Sequence, residues 1–302
     1  MSENVPNAAI SSRQVELAIS RLKCLSTLPC VASLYIPKLT KPQFQPSVIS
    51  DIIESDPALA VRVLSLLSSR GMSMFDRRFS IANAVDKLPA NEIRDALLSL
   101  EVTGIQDNSE LVPDRKGLLK HNLAVACYAK AIADCSSPQM DTQLAYFAGL
   151  LHDIGKSALI ETMPRSFLRI AEQAKKEKTN CRAVELKHMG LDHTLIGKRL
   201  AEKWQLPDLI TLSIWLHHSM TDTILRDMPE ARIAAVIQLA DYLARQSGIG
   251  NSGSFDFLEP SEAWMIEFGI DSEQLKLIHQ SLVKIAPSGC AELLYLLPQY
   301  LA

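Results

Sequence analysis

The segment Leu150-Leu151-His152-Asp153-Ile154-Gly155-Lys156 places an adjacent histidine and aspartate at the end of the apolar stretch AYFAGLL. An ionised carboxylate withdrawn from water in such a setting costs several kcal/mol unless it is paired or bound to a metal. A cation is the simplest compensation. His121, within GLLKHNLAVACYA, and Asp241, within RIAAVIQLADYLA, are likewise surrounded by apolar neighbours. Imidazole nitrogen and carboxylate oxygen together suit Fe, Mn, Zn, Co or Ni better than calcium, which prefers oxygen throughout. One site can therefore take His121, His152, Asp153 and Asp241. A second histidine group follows, His193 in GLDHTLIG and the pair His217-His218 after LITLSIWL. If Asp153 bridges, His193 and His217 would hold a second divalent ion about 3.5–4 Å from the first, the separation usual in two-metal hydrolases.

Each of these residues also has a plain structural reading. A single histidine is more often a core or surface residue than a ligand, and His218 fits a helix C-terminus, where the dipole favours it. His188 and His279 are read as structural, and Trp204 and Trp215 as core aromatics. Glu185, in VELKHMG, is read as an exposed helix charge in preference to a carboxylate that orients a ligating histidine.

The elements that must position these groups are helices. Twelve glycines in 302 residues and apolar residues spaced three to four apart argue for helices joined by short turns, an all-α fold. Asp56-Pro57 gives an N-cap followed by an N1 proline, opening a helix whose apolar face runs through Leu59, Val63, Leu64 and Leu67 to a stop at Gly71. Further patterns recur over 118–135, 141–160, 163–177, 181–188, 191–204, 207–218 and 230–247. Residues 103–117 are polar, with Pro113 and Gly117, and read as a connector; GIGNSGS at 248–254 reads as a flexible loop. The expected organisation is a tail over 1–20, an N-terminal helical lobe over 21–115, a larger metal-binding bundle over 116–250, and a helical extension over 251–302 packed back on that bundle.

Composition sets the outer limits. With 47% hydrophobic and 22% charged residues, the chain has the makings of a large core and is far from the disordered regime. A net charge of −3 gives no general attraction to nucleic acid or anionic lipid, so neither is expected as a partner. The start, MSENVPNAAISSRQ, lacks the basic and apolar parts of a signal peptide, and no segment approaches the roughly 20 apolar residues of a membrane span. A cytoplasmic location is expected. The six scattered cysteines lack a C-x-x-C pair and are expected to be reduced and mostly in the core.

The order His121, His152-Asp153, His193, His217-His218, Asp241 resembles the HD superfamily of metal-dependent phosphohydrolases. The phrase MGLDHTLIGKRLAEKWQLPDLITLSIWLHHS resembles its HDOD branch, and DIIESDPALAVRVLSLLSSRG at 51–71 is similar to that branch's N-terminal helical lobe. The resemblance covers roughly residues 22–285. It implies a bacterial signalling output module, with two-component signalling proteins as partners, in a branch where many members have lost the metal ligands that this chain keeps. It further implies a phosphate-containing small molecule or nucleotide as substrate. Lys156 matches the HD lysine that lies near a substrate phosphate, with a solvated lysine on the last carbonyls of its helix as the alternative. Asp153 would share in catalysis as well as binding, and His218 would position the water or protonate the leaving oxygen. No G-Y-P motif follows His218, so cyclic di-GMP cleavage is unsupported. The competing reading is a non-catalytic regulatory module, or a scaffold for a partner kinase, whose metal site is structural or vestigial.

Overall fold

The computed structural model describes residues 11–72, 80–103, 114–221, 227–256, 265–266 and 268–285. All regular elements among them are helical, and a lone parallel bridge joins Thr27 to Val102. The first group comprises α1 (Ser12–Arg21), α2 (Pro29–Leu39), a 3-10 turn (Pro46–Ile49) running into α3 (Ser50–Ile53), α4 (Pro57–Ser69), α5 (Ile81–Val85) and α6 (Ala90–Leu98). Asp56 caps α4 as its sequence dictates, accepting from the N–H groups of Ala58 and Leu59, and Gly71 follows the helix at φ 68°. Leu59, Val63, Leu64 and Leu67 are fully buried, each contributing about 1.5–3 kcal/mol of apolar transfer.

The second group comprises α7 (Arg115–Cys135), α8 (Thr142–Leu151), α9 (Ile154–Thr162), α10 (Pro164–Glu177), α11 (Cys181–Met189), α12 (His193–Lys203), α13 (Asp208–Leu216), α14 (Arg232–Gln246) and α15 (Ser272–Ile285). The long α7 lies against α8 and α14, α12 packs on both α9 and α13, and α15 rests on α7. One apolar cluster runs through the described chain from Val15 to Ile278, and α4 reaches α8 across it.

Several expectations change. Residues 12–20, read as tail, form most of α1, which is closed by a reciprocal capping box between Ser11 and Gln14 and buries Val15 and Ile19. The single helix expected over 141–160 is two helices, because the chain leaves helical geometry at Asp153 (φ −101°, ψ 21°) before α9 starts. On an unbroken helix adjacent side chains diverge by about 100°; the turn lets His152 and Asp153 face one centre. The loop 248–254 is fastened to α7, with the Asn251 N–H donating to the Gly117 carbonyl at 2.8 Å. Trp215 is 38% exposed rather than core, and the Lys198 ammonium sits 4.0 Å from its ring centre. Cys24, Cys30, Cys135 and Cys181 are free thiols, of which Cys181 alone is buried, whereas Cys127 is disulfide-bonded and corrects the expectation of a fully reduced set. Most of the expected connector, 104–113, and the chain end, 286–302, lie outside the described residues.

Candidate metal centre

Four helices and one turn deliver the ionisable groups to one place. His121 comes from the middle of α7, His152 and Asp153 from the turn between α8 and α9, and His193 from the first position of α12. His217 closes α13, His218 follows it, and Asp241 projects from α14. His121, His152, Asp153, His193, His217 and Asp241 are all buried.

The side chains form two adjoining groups, each with its ligand atoms within 4.8 Å of one another: His121, His152 and Asp241 in one, and Asp153, His193, His217 and His218 in the other. The two oxygens of Asp153 address different groups. Its Oδ2 lies 3.3 Å from His152 Nε2 and 4.0 Å from His121 Nε2, while its Oδ1 lies 3.4 Å from His193 Nε2 and 3.7 Å from His217 Nε2. Within the first group His121 Nε2 stands 3.1 Å from Asp241 Oδ1. The other oxygen of Asp241 accepts from Arg245 Nε at 3.1 Å.

Three imidazoles are oriented from behind. His152 Nδ1 donates to the Gly149 carbonyl at 2.7 Å and His217 Nδ1 to the Ile214 carbonyl at 2.9 Å. His193 Nδ1 donates to Glu185 Oε2 at 2.6 Å. A carbonyl or carboxylate only accepts, so each Nδ1 carries a proton and each ring turns its Nε2 toward the centre. Those aimed atoms are left over: Nε2 of His121, His152, His193, His217 and His218, together with Asp153 Oδ1, are buried without a hydrogen-bond partner. Each unsatisfied buried polar atom costs about 1–3 kcal/mol, and six gathered at one point are what a cation resolves. The donors fit a divalent transition metal on this observation alone.

Electrostatics prepares most of the set for that task. Burial, reinforced by His152, holds the His217 pKa well below the usual imidazole value; burial, reinforced by His217, does the same at His218. At His121 burial likewise lowers the pKa against the opposing pull of Asp241. Burial pushes the Asp153 and Asp241 carboxyls upward, but His152 and Lys156 beside Asp153, and Arg245 and His121 beside Asp241, outweigh it and hold both well below the carboxylate range. Neutral imidazoles and ionised carboxylates are the forms that bind metals. His152 departs from the pattern: burial lowers it, but the charge of Asp153 wins and raises its pKa.

Lys156 is neither solvated nor on the carbonyls of its helix end. It is 1% exposed, and its ammonium donates to Asp153 Oδ2 at 2.8 Å. His218 joins the second ligand group, a placement its expected catalytic role did not include. Glu185, read as an exposed charge, is 0% exposed. Its signal was its spacing, four residues from each of the buried Cys181 and Met189 on one face of α11. His188 and His279 stay outside the centre, bonded to Gln173 and Tyr128. Gly155 lets α9 and α12 meet, since a Cβ there would stand 1.9 Å from the His193 carbonyl oxygen.

This geometry defines a class: an all-helical protein whose buried His/Asp centre is able to hold metal. The HDOD domain family model matches residues 25–220, and the chain belongs to that family; Asp241 lies beyond the matched stretch. The chain is similar to the MmoQ response regulator of Methylococcus capsulatus str. Bath, with 20% identity and a TM-score of 0.63 over 86% of this chain and 99% of that one. A Geobacter sulfurreducens HDOD domain protein with unknown function matches with 25% identity and a TM-score of 0.50, covering 91% and 93% of the two chains. A curated protein of Treponema pallidum (strain Nichols), described as uncharacterized, is 23% identical over 217 residues. That match takes in 71% of this chain, which spans 42% of the relative's length.

Proposed function

We propose that this chain is a bacterial, cytoplasmic HDOD signal-transduction protein whose centre holds one or two divalent transition-metal ions and hydrolyses a phosphate ester. The observation that carries this reading is the convergence of five orphaned Nε2 atoms and Asp153 Oδ1. A bound cation of this kind supplies Lewis acidity and a water of lowered pKa. The chain's own groups have separable tasks. Asp153 offers one oxygen to each ligand group and so sets their spacing. His121, His152 and Asp241 hold the first cation, His193 and His217 the second, with His218 beside them to orient the attacked group or return a proton. A phosphate-bearing small molecule or nucleotide is the substrate, and two-component signalling proteins are the partners.

One feature favours a second reading, a non-catalytic output module with a structural metal. Lys156, which would meet a substrate phosphate, is sealed in the interior and paired with Asp153. The two readings separate in one series. Elemental analysis of protein purified with Mn or Fe present is expected to show one or two ions per chain, absent from an Asp153→Ala variant; a metal-free wild type under these conditions refutes the centre. Turnover of p-nitrophenyl phosphate or bis-p-nitrophenyl phosphate by loaded protein supports hydrolysis. A loaded protein inert on both is the outcome of the structural-metal reading.

A further inference from the structure

The three back-bonded imidazoles are not held alike. His152 and His217 each lean on the carbonyl three residues earlier, a group that any helix end provides. His193 alone leans on a side chain from another helix, Glu185 of α11, and the same Glu185 Oε2 also accepts the His193 backbone N–H at 2.8 Å. Ring and main chain of one residue are thus fixed by one oxygen. The other oxygen, Oε1, accepts from the Cys181 thiol at 3.5 Å.

The surroundings of Glu185 are the telling part. Three other buried carboxylates have a cation at hand, Asp192 with Arg182, Asp241 with Arg245 and Asp153 with Lys156, while Asp56 is satisfied by its hydrogen bonds to the Thr27 hydroxyl and two helix N–H groups. The contacts of Glu185 are the His193 ring, the His193 N–H and a thiol. A carboxylate this deep needs compensation, and a positive charge across the His193 ring would give it. A carboxylate behind an imidazole also fixes its tautomer and the direction of the opposite nitrogen, which here is the unpartnered Nε2.

We propose that Glu185 is a positioning residue specific to the second ligand group, making His193 its anchoring ligand, so that the two cation sites differ in their dependence on α11. This rests on the metal reading above. The residues of the first group, His121, His152 and Asp241, make no contact with Glu185 in the hydrogen bonds of the described residues. Removing Glu185 therefore selects between sites, which a general loss of packing does not.

The test titrates the metal-free full chain with Mn(II) or Zn(II) and counts tight sites, in wild type, Glu185→Gln and Glu185→Leu. Gln keeps an acceptor for Nδ1–H without the charge, and Leu keeps neither. The expected result is loss of one site only, weakened by roughly 10–100-fold in Glu185→Gln and abolished in Glu185→Leu, while the other site keeps its affinity. Two sites weakened equally, or two sites unaltered, overturns the proposal. Imidazole 15N shifts in the metal-free chain give a second readout. They are expected to show His193 protonated on Nδ1 in wild type and to lose that preference in Glu185→Leu; a wild-type His193 protonated on Nε2 also overturns it. A wild type that takes up no metal but keeps the Nδ1 proton refutes the metal centre while leaving the orienting contact standing, so the two failures are distinct.

Discussion

Asp56 and Asp153 are both carboxylates sunk in an apolar helical interior, 3% and 0% exposed, yet they are not equivalent. Asp56 is fully occupied by its neighbours: Oδ1 accepts from the Ala58 and Leu59 N–H groups, and Oδ2 accepts from the Thr27 hydroxyl at 2.9 Å. No cation is needed, and burial, its largest influence, raises its pKa. Asp153 accepts from the Lys156 ammonium at Oδ2, but its Oδ1 faces the Nε2 atoms of His193 and His217, which accept as it does, and is unpaired. Positive neighbours overcome burial and hold its pKa well below the usual range. Burial of a carboxylate is therefore no sign of a metal site. The sign is a buried carboxylate whose neighbours are acceptors.

The largest contrast should come from truncating each. Asp153→Ala removes the carboxylate shared by both candidate ligand groups and strands the Lys156 ammonium in the interior, with loss of metal in elemental analysis and a cost of about 3–5 kcal/mol in denaturant unfolding as the expected outcome. Asp56→Ala removes a helix cap and leaves the Thr27 hydroxyl without its acceptor, costing about 1–3 kcal/mol, with metal content unchanged in elemental analysis. Metal loss in Asp56→Ala would erase the distinction between the two sites.

A smaller effect sharpens the comparison from the acid side. Asp192 caps α12 directly before His193; burial opposes its ionisation, but Arg182 and the Leu195 N–H lower its pKa to about 2. Its ordinary value is near 3.8. A carboxyl depressed on folding contributes stability that is complete above the unfolded value and lost as pH falls through the folded one. Wild type should thus lose stability between about pH 4 and pH 2 that an Asp192→Ala variant lacks throughout, a cap contribution of about 1 kcal/mol read from unfolding midpoints.

Much of this was readable in the chain. The Asp56-Pro57 start and the Gly71 stop of α4 follow from local stereochemistry, and the candidate ligands, which converge in the fold, stand out because histidines and aspartates sit in apolar runs. The break at Asp153 was not readable, since the apolar pattern continues through it and the constraint comes from α12 packing on Gly155. Glu185 was obscured by Lys187 and His188, polar neighbours that turn outward while it turns in. A core reading of Trp215 fails because bulk and apolarity do not disclose which face of α13 meets water.

The bare Cα of Gly155 acts as a spacer of zero thickness. Helices α9 and α12 touch backbone to backbone there, with Gly197 on the facing side, so the distance from Asp153 to His193 is set by main-chain contact rather than by adjustable side chains. Even a methyl group at 155 would wedge the helices apart and widen the gap between two side chains carried on opposite sides of the joint. The spacing of the two candidate ligands is thus written into a missing side chain.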